Sequence, residues 1–379
     1  MRSSERGAIA GRQRAAAPAR GVAAKPSSCS IARRHMATRL QDASDQEEPM
    51  KSFESRIAVV TGGGTGMGRE LARQLSAEGA HVAMCDVSQE AMAQTKALCE
   101  AKAPRGTRVT TFLADVSNEA QVHAFRDHVA RAHNTDHIHL LFNNAGIGGG
   151  GSLLLDDRAE WDKTFAVCWG GVYYGTRAFL AMLVAAPEAH LVNTSSVNGF
   201  WASIGPEIPH TAYSAAKFAV KGFTEALIND FRLNAPHVKV SVVMPGHIGT
   251  SIVINSARAF GRDPKEMTEE QIDQTRDRLA RLGIDLKGVP SDLIRAGIQQ
   301  QADAFRDQAP MTAAQAAKVI LDGVRSERWR ILVGEDAQVL DRLVRETPEE
   351  AYEPSFMEKL RAQANWRFGL AELTPGPPR

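Results

Sequence analysis

A glycine-rich segment directly after a short apolar run constrains the fold of this chain more than any other feature. Residues 57–60 read Ile-Ala-Val-Val, which is typical of a buried strand, and residues 61–68 follow as Thr-Gly-Gly-Gly-Thr-Gly-Met-Gly. Apolar residues then recur at four-residue steps, at Met67, Leu71 and Leu75, and predict a helix. Glycines between a strand and a helix allow backbone N–H groups at the helix N-terminus to bind a pyrophosphate. The alternative interpretation is a flexible glycine loop.

The next predicted strand, residues 81–86, ends in Asp86. An acid about 20 residues beyond the glycines is the spacing that a dinucleotide-binding unit needs. Its carboxylate can accept hydrogen bonds from the adenosine ribose and repels a 2′-phosphate, which favours NAD over NADP. Arg69 is the nearby cation that could weaken this preference, unless it is solvated. Asp86 could otherwise be an ordinary turn residue.

Tyr213 and Lys217 are spaced by four residues and therefore lie on the same face of a predicted helix. A free tyrosine has a pKa near about 10, which is high for a base at neutral pH. A nearby ammonium group favours the phenolate, so we expect Lys217 to lower the pKa of Tyr213 into a useful range. Taken alone, the pair is also common on ordinary amphipathic helices.

Together these motifs resemble those of the short-chain dehydrogenase/reductase family, from about residue 51 to 252 and more weakly to about residue 337. The matching residues include Asp115-Val116, Asn143-Asn144-Ala145-Gly146, Ser195-Ser196 and Pro245-Gly246, in the order of the family. The resemblance implies an α/β fold with a Rossmann-type, doubly wound parallel sheet. It also implies a cofactor site formed by Gly62, Thr65, Gly66, Met67, Gly68, Asp86, Asp115, Val116, Asn143, Ala145, Gly146, Tyr213, Lys217, Ile248 and Thr250.

The resemblance further implies hydride transfer between NAD and a secondary alcohol or ketone. Tyr213 would be the acid/base, and Lys217 would hold the nicotinamide ribose. Ser196 would orient the substrate oxygen, because a hydroxyl can donate to a developing oxyanion. Ser195 would only complete the preceding strand. A second reading keeps cofactor binding without efficient catalysis, as in a sensor of NAD state or a scaffold.

Two departures from the family pattern affect these expectations. Cys168 occupies a position where the family usually has an asparagine. Cysteine could still offer its backbone carbonyl to a proton relay, but we expect the side-chain hydrogen bonds to be lost. The interval between Ser196 and Tyr213 is also long, and Phe200 and Trp201 within it could line a pocket for a bulky apolar substrate or pack against the core.

Strand and helix patterns alternate along the rest of the chain, which predicts a doubly wound sheet. We expect helices near residues 89–102, 119–132, 158–184 and 211–233, strands near residues 108–114, 237–244 and 329–333, and a capping box at Thr312 and Gln315. Residues 51–345 would form one dehydrogenase domain, with a helical insertion at about 252–310 that is a substrate lid, a surface pair of helices or an oligomer contact. Residues 346–379 would be a C-terminal extension. By family analogy, the helix of Tyr213 would pair between subunits of a homodimer or homotetramer.

Composition agrees with this interpretation and narrows the possible partners. The 379 residues carry a formal charge of +1 and are 43% hydrophobic. This balance gives no bias toward nucleic acid, and no apolar run is long enough to cross a membrane. Cys29, Cys85, Cys99 and Cys168 have no metal-type spacing, so we expect free thiols in a reducing compartment.

Two further sets of residues are ambiguous. The first fifty residues are rich in arginine and poor in acids, so we expect a disordered extension. It is either an organelle transit peptide or the product of a start codon assigned too early, and the second reading predicts a cytoplasmic protein. Five histidines at residues 123–139 suggest a metal site, but their spacing does not place them on one helical face, and we expect them to be solvated.

Overall fold

The centre of the fold is a sheet of seven parallel strands. This computed structural model describes residues 50–205, 208–281, 283–364 and 366. The strands are β1 (Ile57–Thr61), β2 (His81–Asp86), β3 (Val109–Leu113), β4 (Leu140–Asn143), β5 (Ala189–Thr194), β6 (Val238–Pro245), β7 (Ile248–Gly249), β8 (Met311–Thr312) and β9 (Arg330–Val333). The main sheet has the order β3-β2-β1-β4-β5-β6-β9, and β7 pairs with β8 separately. The strand order reverses between β1 and β4, which is where doubly wound sheets bind ligands.

Helices follow the strands and cover both faces of the sheet. They are α1 (Gly66–Ala77), α2 (Gln89–Glu100), α3 (Glu119–His133), α4 (Arg158–Phe165), α5 (Gly171–Ala185), α6 (Thr211–Asn234), α7 (Ile252–Ala259), α8 (Glu269–Arg281), α9 (Ser291–Asp307), α10 (Ala313–Arg325), α11 (Glu335–Glu346) and α12 (Pro354–Ala364). Short 3₁₀ turns occur at Val197–Gly199 and Pro348–Glu350.

Two apolar clusters form the core, one on each side of the sheet. Leu71 and Leu75 of α1 pack with Ile320 of α10 on one side. Phe125 of α3 and Phe179 of α5 pack on the other, with their ring centroids 5.6 Å apart. All five residues of β1 are buried, as expected for a parallel strand covered on both faces. The predicted fold class is therefore confirmed.

The predicted helix over residues 158–184 is interrupted by a π-helical turn at Ala166–Gly170. Two adjacent glycines, Gly170 and Gly171, end this turn, and glycine stabilises regular helix poorly. The other predicted elements appear with small shifts of their ends. The capping box is confirmed, because Thr312 Oγ1 accepts a hydrogen bond from Gln315 N at 3.3 Å while the Gln315 side chain accepts from Thr312 N at 2.9 Å.

The segment 252–310, here called the lid, contains α7, α8 and α9 and has a small apolar cluster of its own, formed by Met267, Ile272 and Ile294. The described residues from 50 onward belong to one compact unit. Within them, no helix is long and apolar enough to span a membrane. The predictions for residues 1–49 lie outside the described part of the chain.

Candidate active site

The glycine-rich turn joins β1 to α1 with a backbone that requires glycine at two positions. Gly62 has φ +67° and Gly66 has φ +55°, both in the left-handed region. A side chain at position 68 is excluded, because a Cβ there would lie 2.0 Å from the carbonyl oxygen of Gly62. The turn therefore brings backbone close to the N-terminus of α1, between Thr65 and Met67, in the arrangement that binds a pyrophosphate.

The carboxylate of Asp86 lies against this turn. Its Oδ2 accepts a hydrogen bond from Gly64 N at 2.9 Å, and its Oδ1 accepts one from Ser88 N at 3.0 Å. Arg69 is not simply solvated, because its guanidinium donates to the Gly64 carbonyl oxygen from Nε at 3.0 Å and from Nη2 at 2.7 Å. Nε of Arg69 also donates to Thr95 Oγ1 at 3.0 Å. The guanidinium of Arg69 is thus bound to the glycine-rich turn and to α2.

Hydrogen bonds to Thr61 hold the segment after β4 beside the glycine-rich turn. Its Oγ1 accepts from Asn144 N at 3.0 Å and from Ala145 N at 3.1 Å. Asn143 has a different environment, since its Nδ2 donates to Asn193 Oδ1 at 2.9 Å inside the sheet and its side chain is buried. Asn144, which the sequence interpretation left out of the cofactor site, faces the cavity together with Gly146.

Ser196, Tyr213 and Lys217 meet at the carboxyl end of β5 and the first turns of α6. Lys217 is buried and its Nζ donates to the Thr194 carbonyl oxygen at 2.9 Å. The same nitrogen lies 5.3 Å from the centroid of the Tyr213 ring. Ser196 makes a hydrogen bond with the Tyr213 side chain. Ser195 Oγ instead donates to the Lys217 carbonyl oxygen at 2.7 Å. This bond joins the end of β5 to α6, which agrees with the structural role expected for Ser195.

The electrostatic expectation for Tyr213 needs correction. Burial raises the pKa of Tyr213, the neighbouring Cys168 thiol adds to that increase, and the hydrogen bond with Ser196 lowers the pKa. Burial also lowers the pKa of Lys217. Desolvation disfavours the charged form of both groups. The pKa of Tyr213 is therefore raised by the loss of water around the phenol, and not lowered as its spacing from Lys217 predicts.

The side chain of Cys168 keeps a hydrogen bond, contrary to expectation. Its Sγ lies 3.1 Å from the carbonyl oxygen of Ile147 and donates to it. Cys168 sits in the π-helical turn, and a Cβ at Gly146 would lie 3.7 Å from its Sγ and 3.5 Å from Lys217 Nζ. The thiol therefore lies near Lys217 and secures the segment after β4.

A cavity of about 510 Å³ extends from the glycine-rich turn, past Ser196 and Tyr213, to the lid. Its apolar walls come mainly from the lid and its surroundings, at Ile204, Val253, Phe260, Met267, Ile298, Phe305 and Trp366. His210 also lines it, and the His210 ring centroid lies 4.9 Å from that of Tyr213. The sequence alone does not identify these wall residues individually, because side chains separated by many residues meet only in the folded chain.

Of the two readings left open for Phe200 and Trp201, the structure supports packing in the core. Trp201 is 1% exposed and packs on Phe356 and Trp366, while its Nε1 donates to the Ala351 carbonyl oxygen at 2.6 Å. Phe200 packs against the same cluster. The C-terminal helix α12 supplies partners for Trp201, and burial of the indole there outweighs exposure in a cavity.

The remaining predicted cofactor residues lie in β7 and on two loops. Ile248 and Thr250 line the cavity, and a Cβ at Gly66 would lie 3.2 Å from Thr250 Cβ, so this loop contacts the glycine-rich turn. Asp115 accepts hydrogen bonds from the backbone and side chain of Ser117, at 2.9 and 2.7 Å. Val116 is buried beside α5. A further contact, from Asn255 Nδ2 to Thr65 Oγ1 at 3.0 Å, ties the lid helix α7 to the turn.

The sequence predicts that the histidines near α3 are solvated, and this is wrong for two of them. His133 and His139 are buried. His133 Nε2 lies 2.8 Å from Thr110 Oγ1, and His139 Nδ1 accepts a hydrogen bond from Ile57 N at 3.1 Å. Among the described residues there is no group of three or more side chains that could hold a metal ion. These two histidines join the sheet to its neighbouring segments.

Known proteins share these sequence features and this fold. The sequence model of the short chain dehydrogenase family matches residues 56–259. A protein of Mycobacterium tuberculosis named as the oxidoreductase SadH is 34% identical over 298 residues, which cover 78% of this chain and 92% of that protein. Levodione reductase of Leifsonia aquatica is 34% identical over 226 residues, which cover 59% of this chain and 81% of that enzyme.

Solved structures agree with the sequence matches. A short chain dehydrogenase/reductase from Burkholderia phymatum, crystallised with NAD, superposes with a TM-score of 0.63 at 30% identity and covers 80% of this chain and 97% of its own. The crystal structure of levodione reductase gives a TM-score of 0.56 at 27% identity, over 76% of this chain and 99% of that one. Each match covers nearly the full length of the neighbouring structure, so the likeness extends to the whole fold of these two proteins.

Proposed function

The chain belongs to the short-chain dehydrogenase family, and we propose that it is an NAD-dependent oxidoreductase that interconverts a secondary alcohol and a ketone, with Tyr213 as the acid/base. The observation that carries the proposal is the meeting of Ser196, Tyr213 and Lys217 at the wall of the cavity that begins at the glycine-rich turn. Both NAD and NADP fit the family, and the proposal of NAD depends on Asp86.

The residues of the turn suit a dinucleotide. A Cβ at Gly62, Gly66 or Gly68 would approach neighbouring atoms within 3.2 Å, so glycine keeps the backbone accessible to a pyrophosphate there. Asp86 presents a carboxylate beside the turn, and Arg69 is already bonded to Gly64, which leaves a 2′-phosphate facing negative charge. The neighbour from Burkholderia phymatum was crystallised with NAD. When bound, NAD would accept the hydride from the carbinol carbon.

The protein's own groups manage the proton. Tyr213 would take the hydroxyl proton of the alcohol during oxidation and return it during ketone reduction. Ser196 would donate a hydrogen bond to the same substrate oxygen and already stabilises the tyrosinate through its bond to Tyr213. Lys217, positioned by Thr194, would supply positive charge near the phenol and the nicotinamide ribose. Cys168 lies near both Tyr213 and Lys217, and its thiol donates to the Ile147 carbonyl oxygen.

The proposal is tested by following NADH formation with protein that begins at Met50 and a panel of secondary alcohols of increasing size. We expect Tyr213→Phe to abolish turnover. Tyr352→Phe is the matched control, because Tyr352 is 58% exposed and lies outside the cavity lining. Equal turnover in Tyr213→Phe and the parent protein would overturn the acid/base assignment.

Cys168 favours a second candidate, in which the protein binds NAD as a sensor or scaffold and catalyses poorly. Absence of turnover with every alcohol, together with measurable NADH binding, would support that candidate. Cys168→Asn would then restore the residue usual in the family, and recovery of turnover would identify the cysteine as the cause. Continued inactivity would leave the binding role.

We also propose that α6 pairs between subunits in a homo-oligomer. Phe218 of α6 is 42% exposed and Tyr173 of α5 is 38% exposed. Phe223 stacks edge-on against Trp169 at 5.3 Å, so an aromatic surface extends along these two helices. Such a surface is typical of a subunit contact. A monomeric mass in solution by light scattering would overturn this.

A further inference from the structure

The lid end of the cavity carries two arginines that the proposed chemistry at Tyr213 does not use. Arg262 and Arg278 both line the cavity there, with Thr275 between them in sequence. The lining residues of this end include one carboxylate, that of Glu160. Guanidinium groups with unused N–H donors at a largely apolar cavity can bind an anionic group on a ligand.

Arg262 is held in place with donors to spare. Its Nη2 donates to Glu160 Oε2 at 2.6 Å, and its guanidinium lies 5.2 Å from the centroid of the Phe260 ring. The other oxygen of Glu160 accepts a hydrogen bond from Gly150 N at 2.9 Å. The carboxylate is thus fully engaged, whereas a guanidinium has further N–H groups that can bind a planar anion.

Arg278 is less tightly paired than Arg262. Its Nη2 lies 3.6 Å from Asp156 Oδ1, which is too long for a hydrogen bond, and its side chain is 48% exposed. Asp156 directs its other oxygen to Ser152 N at 2.8 Å. No hydrogen bond to Arg278 occurs among the described residues, so its planar donor face is available to a carboxylate at the cavity.

The other arginines of α8 show that this placement is specific. Arg276 is committed to the lid itself, since its Nη1 donates to the Leu286 carbonyl oxygen at 2.6 Å. Arg281 is exposed and lies outside the cavity lining. Arg278 is therefore the arginine of this helix that the lid directs to the cavity.

We propose that the substrate is an amphipathic hydroxy acid or oxo acid whose carboxylate binds Arg278 and Arg262. Its apolar body would lie against Phe260, Met267 and Ile298, and its carbinol or carbonyl group would reach Tyr213. This inference rests on the proposed dehydrogenase function. In oxidation the carbinol loses a hydride to NAD and a proton to Tyr213, and the carboxylate leaves the reaction unchanged.

The test compares secondary alcohols that differ only in charge. A series of hydroxy fatty acids, with the hydroxyl next to the terminal methyl group and with increasing chain length, is assayed beside the corresponding methyl esters. At the optimal length we expect kcat/KM for the acid to exceed that for the ester by about tenfold or more, which is the effect of one charged hydrogen bond. Raising the salt concentration should reduce the ratio.

Two variants test whether Arg278 causes the preference for the acid over the ester. In Arg278→Gln the ratio of acid to ester should fall toward one, mainly through a higher KM for the acid, because the distant anchor acts equally in substrate and transition state. Arg281→Gln, on the same helix, should keep the parental ratio. Equal use of acid and ester by the parent protein, or an unchanged ratio in Arg278→Gln, would overturn the proposal.

An equilibrium measurement separates this inference from the proposed function. Saturated fatty carboxylates of the same lengths are titrated by calorimetry into the parent protein and Arg278→Gln, each with NADH. Binding that Arg278→Gln weakens, without turnover of any alcohol, would support the anion site and reject the dehydrogenase. Turnover of esters and acids alike, without Arg278-dependent binding, would reject the anion site and support the dehydrogenase.

Discussion

Asp336 Oδ2 accepts a hydrogen bond from the backbone N–H of His247 at 2.6 Å, and so joins the start of α11 to the loop that follows β6. The contact spans 89 residues of sequence. It leaves no room for a side chain at Gly246, whose Cβ would lie 2.2 Å from the same carboxylate oxygen. Because that loop continues into Ile248 and Thr250, Asp336 fixes part of the proposed cofactor site from outside it.

Replacement of this carboxylate should therefore affect both stability and cofactor binding. Asp336→Ala leaves a buried N–H at His247 without its acceptor, and we expect a loss of about 1–3 kcal/mol in the free energy of unfolding. NADH affinity should fall as well, because the loop with Thr250 loses its support. Chemical denaturation and fluorescence titration with NADH measure the two effects.

Glu335→Ala provides the control for this prediction. Glu335 is the exposed neighbour at the same end of α11, so its removal changes helix-end charge without removing the contact to His247. We expect NADH affinity to stay at the parental value in this variant. Equal losses of affinity in Asp336→Ala and Glu335→Ala would show that charge at the helix end, rather than the hydrogen bond, is responsible.

The features that the sequence predicts are local, and those that it leaves open depend on distant contacts. The glycines of the turn, Asp86 and the pair Tyr213 and Lys217 are defined by short spacings and by the end of one strand or the phase of one helix. The environment of Trp201 stayed open between pocket and core because its partners Ala351 and Phe356 follow about 150 residues later, and the residues near Trp201 do not predict them. The burial of His139 against Ile57 is likewise a contact over 82 residues.

Buried histidines should make the protein sensitive to mild acid. Burial, as the largest cause, lowers the pKa of His133 and His139 to about 4 and that of His190 to about 3. An unfolded imidazole titrates near about 6.5, so between that value and the folded pKa the unfolded chain binds more protons. Stability is full above this window and falls as the pH decreases through it, by up to about 1.4 kcal/mol per pH unit for each histidine.

Thermal unfolding followed from pH 7 to pH 5 checks this prediction, with a decreasing midpoint expected. His139→Asn removes one of the titrating groups and should give a shallower decrease, although the lost bond to Ile57 lowers stability at every pH. His123→Asn is the control, since His123 is partly exposed and pairs only with Glu119 at 3.9 Å in the described contacts. A midpoint that does not change between pH 7 and pH 5 would contradict the assignment.

The hydrogen bond between Ser196 and Tyr213 predicts a shift in the pH dependence of catalysis. Burial raises the pKa of Tyr213, and the Ser196 bond opposes that increase. Alcohol oxidation requires the phenolate, so kcat/KM for oxidation should rise with pH above neutrality. Ser196→Ala should move this rise to higher pH and lower the rate by about 10²-fold or more through loss of the oxyanion donor.

Profiles of kcat/KM against pH for the parent protein, Ser196→Ala and Ser203→Ala measure this shift. Ser203 lies in the same loop, outside the cavity lining, and its hydroxyl donates to the Gly205 carbonyl oxygen at 3.2 Å. Only Ser196→Ala should move the profile. A lower rate with the parental pH dependence would mean that Ser196 positions the substrate without influencing the ionisation of Tyr213.

Asp86 should decide between NAD and NADP. Its carboxylate lies beside the turn, and the guanidinium of Arg69 is bonded to the Gly64 carbonyl oxygen. We expect Asp86→Ser to lower kcat/KM with NAD by about tenfold or more, because a charged hydrogen bond to the ribose is lost. The same change should improve use of NADP, since the repulsion of its 2′-phosphate disappears.

Asp136→Ser, at an exposed aspartate distant in sequence, controls for net charge. An unchanged ratio of NAD to NADP use in Asp86→Ser would show that the ribose is recognised by another residue.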